Sequence, residues 1–125
     1  MGAMEVVYTQ SHEWIQVEGR VGTVGITEYA QRELGEIVYI ELPTIGEVIP
    51  SGKEACILES TKAAADVYAP VSGKIVAVNE KLSHEPSILN HHAEGAGWLF
   101  KLELSNPKEL EKLLSRKEYQ KFISS

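Results

Sequence analysis

The chain has 125 residues, 43% of them hydrophobic and 24% charged, enough for one globular unit with a real core. Its 12 Lys+Arg against 18 Asp+Glu leave a formal charge of −6, which argues against nucleic acid as a partner, because phosphate neutralisation supplies most of that affinity. No apolar run approaches the roughly 18 residues of a transmembrane helix, no basic-then-apolar leader opens the chain, and a lone cysteine excludes an internal disulfide.

These features lead us to expect a soluble, acidic protein of a reducing compartment, with no membrane partner; a monomer is the expected state, though none of these features fixes it. Met1-Gly2-Ala3 ahead of Met4 reads as a cloning remnant, leaving residues 4–125 as a single domain. "HEWIQVEG" alternates, meets Gly19-Arg20 and resumes as "VGTVGI", the pattern of a hairpin. Gly22 and Gly25 within the second strand suggest a bulge or a close approach. Thr27 is an N-cap for a short helix over "EYAQREL", with Ala30 and Leu34 on one face and Gly35 as its stop. "EIVYIEL" follows as a strand ending at Pro43.

The middle of the chain repeats itself. Pro50-Ser51-Gly52-Lys53 precedes the strand "EACILE", and Pro70-Val71-Ser72-Gly73-Lys74 precedes "IVAVNE". Gly52 lies ten residues before Lys62 and Gly73 eleven after it, so two turn-plus-strand units flank that lysine almost evenly. The competing explanation is chance, since Pro, Ser and Gly are the common turn residues. Cys56 alternates with apolar neighbours and reads as a buried small hydrophobe. His91 and His92 invite a metal reading, but no Cys or acidic cluster completes a site, and loop solvation is preferred. Trp98, in register with Phe100, Leu102 and Leu104, is expected in the core.

At the C-terminus Asn106, Pro107 and Glu109 spell a capping box with proline at the first helical position, followed by Leu110, Leu113 and Leu114. A continuous helix fails, because Tyr119 falls about 180° from Leu110 at roughly 100° per residue. Ser115-Arg116-Lys117-Glu118 is a second capping box, and Tyr119, Phe122 and Ile123 restore the stripe. Two short helices, 107–114 and 116–123, are therefore expected, the 106–123 tail lying against the sheets. Many short strands ahead of it argue for a mainly β fold: a hybrid barrel-sandwich, or flattened antiparallel β-barrel, with a short internal helix.

Lys62 in "ESTKAAAD" stands at the tip of the central hairpin among small neighbours, where a large modifying enzyme could reach its amine. Most turn lysines are simply solvated, and position alone does not decide. "SHEW" (11–14), "VGIT" (24–27), "ELP" (41–43), "ESTKAAADVYAPVSG" (59–73) and "GAGWLFKLEL" (95–104) together resemble the glycine cleavage system H protein family, from about Val6 to Phe122. Biotinyl domains place methionine on both sides of the lysine, where this chain has Thr61 and Ala63.

The resemblance implies a non-catalytic carrier with lipoic acid joined as an amide to Lys62. It implies four partners. The P protein, a pyridoxal-phosphate glycine decarboxylase, would load an aminomethyl group onto the arm. The T protein, an aminomethyltransferase, would unload it to tetrahydrofolate. The L protein, dihydrolipoamide dehydrogenase, would reoxidise the dithiol, and a lipoate-attaching ligase or transferase would install the arm. It further implies that Ser11, Glu13 and Asp66 line a cleft sheltering the loaded arm, and that Glu59 is read by the ligase. A bacterial member would be cytoplasmic and a eukaryotic one would sit in the mitochondrial matrix.

From the residues alone, Glu13 is equally a solvated strand residue beside Trp14, and Glu59 an exposed strand carboxylate. The chain departs from the family pattern at Tyr29 and at His91 to Glu94. Three rivals stand beside the reading: a relay supplying lipoate to 2-oxoacid dehydrogenases, an enzyme using Lys62 as a Schiff-base nucleophile, and a plain protein-interaction module.

Overall fold

The computed structural model describes residues 5–124, and the expected remnant Met1-Gly2-Ala3 lies outside them. Nine strands form two antiparallel sheets. In chain order they are β1 (Val6–Tyr8), β2 (Glu13–Glu18), β3 (Val21–Ile26), β4 (Ile37–Glu41), β5 (Val48–Ile49), β6 (Glu54–Ser60), β7 (Ala64–Tyr68), β8 (Gly73–Val78) and β9 (Phe100–Leu104). The larger sheet has the order β1-β2-β3-β9-β8-β5 and the smaller one β4-β6-β7. Their inner faces enclose Ile15, Val24, Leu58, Ile75, Phe100 and Leu102, all fully buried. This is the expected barrel-sandwich, with the two sheets facing each other rather than closing into one ring. Among the described residues no helix is long and apolar enough to cross a membrane.

The first hairpin pairs β2 with β3 from Glu13–Ile26 to Glu18–Val21 without a break, so its glycines mark no bulge. They mark close approach. A Cβ at Gly22 would meet the Ile15 side chain at 2.5 Å, and one at Gly25 would meet the Trp14 ring at 2.7 Å. The bulges fall elsewhere, between Ile37 and Tyr39, Glu54 and Cys56, and Ile75 and Ala77.

Helix α1 (Glu28–Leu34) follows β3 as expected. The Thr27 hydroxyl accepts from the Ala30 N–H, and Gly35 ends the helix at φ +84°, a conformation costly for any residue with a Cβ. Two helices between β8 and β9 were not foreseen: α2 (Lys81–His84) and α3 (Ser87–His91). Each buries a single leucine, Leu82 and Leu89, and each is too short to carry a 3.6-residue period.

The tail divides where the phase slips. A 3-10 helix spans Pro107–Lys112 and α4 spans Arg116–Ser124. Between them Leu114 exchanges two backbone hydrogen bonds with Tyr8, adding a bridge to β1. The second capping box forms in full: the Ser115 N–H donates to Glu118 Oε1 and the Glu118 N–H to Ser115 Oγ. The first forms by half. Asn106 Oδ1 accepts from the Lys108 N–H, but the Glu109 carboxylate instead takes the Ser72 N–H and hydroxyl at 2.7 and 3.0 Å. A satellite core of Tyr8, Trp14 and Tyr119, backed by half-buried Trp98, fastens α4 to the larger sheet. There the Tyr8 and Tyr119 rings stack at 4.7 Å.

Candidate functional site

Lys62 is exposed at the tip joining β6 to β7. The tip is tight because Ser60 organises it. Its N–H donates to the Ala63 carbonyl at 2.8 Å, and its hydroxyl oxygen accepts from the N–H groups of Lys62 and Ala63 at 3.0 Å each. The Thr61 N–H reaches across to the Glu36 carbonyl, tying the tip to the segment after α1. Nearly every backbone donor of the turn is thus engaged, so the lysine projects from a fixed base. Its side chain lies across Gly35: a Cβ there would come within 3.2 Å of Lys62 Cε.

Beside that base opens a cleft of about 320 Å³. Ile26, Leu34, Leu58 and Val67 make its apolar floor, with Ala30 and Ala65 beside them. Ser11, His12, Glu13, Tyr29, Glu33 and Asp66 supply its polar wall. The cleft therefore draws on both sheets and on α1. Three of the expected residues, Ser11, Glu13 and Asp66, meet in this one cavity although 55 positions separate the outer two. Ala65, in the cleft lining, lies three residues beyond Lys62, and Leu34, also in the lining, precedes Gly35, over which the Lys62 side chain lies, so the lysine begins at the cleft's edge. Glu59 is exposed on β6 opposite Ala64, outside the cleft wall.

Glu13 is not the solvated strand residue that its local pattern allowed. Its exposure is 2%, and its carboxylate is held on both oxygens. Oε1 accepts from the hydroxyls of Thr9 at 2.5 Å and Ser11 at 2.6 Å, and Oε2 from the Tyr68 N–H at 3.1 Å. Burial pushes its pKa above the ordinary carboxylate value, while the donors from Ser11, Thr9 and the backbone pull the other way. Asp66 is exposed on β7, across from Ile57.

His12 and Tyr29 carry no role in the sequence reading, yet they form one side of the cleft. Their rings lie 4.8 Å apart. His12 sits at φ +75°, a strained setting for a residue with a Cβ, and its Nδ1 is 2.8 Å from the Tyr119 hydroxyl. That hydroxyl also meets Thr27 Oγ1 at 2.7 Å, so the tail helix, the cleft wall and the cap of α1 share one oxygen. Burial lowers the His12 pKa, and the Glu33 carboxylate partly opposes this.

The segment that departs from the family pattern is ordinary scaffold. Ala93 is buried and its carbonyl accepts from Trp14 Nε1, while Glu94 accepts from the Glu28 N–H in the first turn of α1. His91 Nδ1 lies 3.0 Å from the Ser87 carbonyl oxygen on its own helix. Cys56 is buried, its thiol pushed up to about 12 mainly by desolvation, in keeping with a packing role. Trp98 is only half-buried, and the Lys101 ammonium sits 5.1 Å above its ring.

Comparison with known proteins adds an independent line. The family model described as glycine cleavage H-protein matches residues 6–125. The glycine cleavage system H protein of Thermotoga maritima is 55% identical over 117 residues, covering 94% of each chain. That of Xanthobacter autotrophicus is 50% identical over 120 residues, covering 96% of each. The crystal structure of a glycine cleavage system H protein from Mycobacterium marinum superposes with a TM-score of 0.89 at 32% identity, over 99% of this chain and 100% of that one.

Proposed function

The chain belongs to the glycine cleavage H-protein family and is a lipoyl carrier of the glycine cleavage system; on that premise we propose that Lys62 is its attachment point and the cleft beside it the shelter for the loaded arm. The observation that carries this reading is the placement of an exposed lysine, on a turn whose backbone donors are engaged, at the edge of a cleft with an apolar floor and an acidic wall.

The residues fit the group. An exposed primary amine on a flexible stem can be acylated, the floor of Ile26, Leu34, Leu58 and Val67 suits a methylene chain, and Glu13 and Asp66 suit an ammonium at its end. When bound, lipoic acid supplies a dithiolane whose sulfur carries the one-carbon cargo; the chain supplies presentation and shelter. The Glu13 carboxylate accepts from Thr9 and Ser11 on Oε1 and from Tyr68 on Oε2, so Oε2, the less crowded oxygen, is the one that would meet a cation. The apolar floor excludes water, which would otherwise hydrolyse the cargo. Glu59, exposed on the strand leading to the tip, is the carboxylate that the attaching ligase or transferase would read.

The carrier itself turns over nothing in this reading. Its partners are the P protein, the T protein and the L protein. The rival in which Lys62 forms a Schiff base requires a lysine stripped of water, and Lys62 is exposed.

Intact-mass measurement after treatment with lipoate and a lipoate ligase tests the attachment. Lys62→Ala should abolish the mass increase, while Lys53→Ala and Lys74→Ala, in the two repeated turns, should keep it. Modification persisting in the Lys62 variant would refute the assignment.

A further inference from the structure

The loop from Thr9 to Glu13 folds around one carboxylate, and the residue that organises it is not in the cleft wall. The Thr9 hydroxyl oxygen accepts from the Glu13 N–H at 2.9 Å and donates to Glu13 Oε1 at 2.5 Å. The Thr9 N–H donates to the Glu13 carbonyl, and the Thr9 carbonyl accepts from the His12 N–H. Thr9 therefore grips Glu13 by its amide, its carbonyl and its side chain.

Thr9 and Ser11 each own one hydroxyl proton, and both are aimed at Oε1, leaving none for the 3.2 Å contact between the two hydroxyls. Both hydroxyl protons are thus spent on one carboxylate oxygen, and donors aimed at that oxygen favour the charged form, opposing the burial that favours the neutral one. Ser11 is exposed and its hold can exchange with water. Thr9 also carries backbone bonds that fix its place.

We infer that Thr9 is a positioning residue: its hydroxyl holds Oε1 of the Glu13 carboxylate in the cleft wall, leaving Oε2 to the cation, and favours the charged form that the cation needs. The cation's identity rests on the reading of Glu13 given above, whereas the grip on Glu13 stands apart from it. Residues of the cleft wall that also bear on the charge there are His12, Tyr29, Glu33 and Asp66, and none of them contacts the Thr9 hydroxyl among the described hydrogen bonds.

The test follows the Glu13 side-chain carboxyl by ¹³C NMR titration in the protein with Lys62 unmodified. Thr9→Val, close in shape but without the hydroxyl, should move the Glu13 midpoint upward, because a donor to the charged form is lost. Thr9→Ala should do the same and Thr9→Ser should restore the wild-type midpoint. In the lipoylated, cargo-loaded protein, Thr9→Val should speed loss of the cargo by about tenfold, the worth of one charge-assisted contact, with Thr9→Ser again rescuing. An unchanged Glu13 midpoint in both Val and Ala variants, with only the melting temperature lowered, would overturn the inference and leave Thr9 as a turn residue. If instead Glu13→Gln leaves the cargo lifetime unchanged while the Thr9 variants shift the midpoint, the grip stands and the cation reading falls.

Discussion

Glu13 shows how far a single residue can depart from its local pattern. In "SHEWIQVEG" a carboxylate beside a tryptophan has no reason to be buried, and only resemblance to a family gave it a place in a cleft. What buries it is the turn of Thr9 to His12, closed by a positive φ at His12 that no residue type announces. Its burial has a measurable consequence. Because its folded pKa lies above the 4.5 of a free glutamate, the native state binds its proton more tightly than the unfolded chain does. Stability from this group is thus fully present below about pH 4.5 and is lost as pH rises through the folded value. Glu13→Gln, which does not titrate, should gain on the wild type in melting temperature between pH 4.5 and pH 7. Thermal melts of both proteins at the two pH values check this, and a difference that does not change with pH would refute it.

Among the elements, those with strong local signals were legible. Thr27 with Gly35 bounded α1, and the phase slip with Ser115 and Glu118 divided the tail. The repeated turns were legible as an echo, and they turn out to touch, since the Ser51 N–H donates to Ser72 Oγ. Helices α2 and α3 were not legible, because four and five residues cannot show a period. The first tail cap was misread for another reason: Glu109 found a tertiary partner in Ser72 that outcompeted its local one. Helix α4 owes its seat to Tyr119, whose hydroxyl serves both His12 and the fully buried Thr27. Tyr119→Phe keeps the stack on Tyr8 but leaves those two groups short of a partner. The loss should be about 1–3 kcal/mol, a fall in melting temperature of roughly 4–12 °C. A fall below 1 °C in calorimetry would mean that water replaces the hydroxyl at no cost.

At the scale of the whole molecule the tail is fastened at two places that serve different ends. The 3-10 helix is held through Glu109 to Ser72 and so to Ser51, in the turn before β6. Helix α4 is held through Tyr119 to His12, which lines the cleft at the other end of that strand. The length of β6, about 20 Å, separates the first fastening from Lys62. If the two sheets behave as one stiff body, loosening either fastening should lower stability, but only the one at His12 should disturb the site. Glu109→Ala is expected to cost about 1–3 kcal/mol, because it frees the Ser72 N–H and hydroxyl. Its lipoylation at Lys62 and its cargo lifetime should match the wild type at temperatures well below melting. Tyr119→Phe, at a comparable loss of stability, should shorten the cargo lifetime, because His12 loses the partner that holds its ring against Tyr29. The measurement is a pair of numbers for each variant, melting temperature and cargo lifetime. Equal lifetimes lost for equal stability lost would mean that the cleft merely reports global unfolding, and the division of labour along the tail would be wrong.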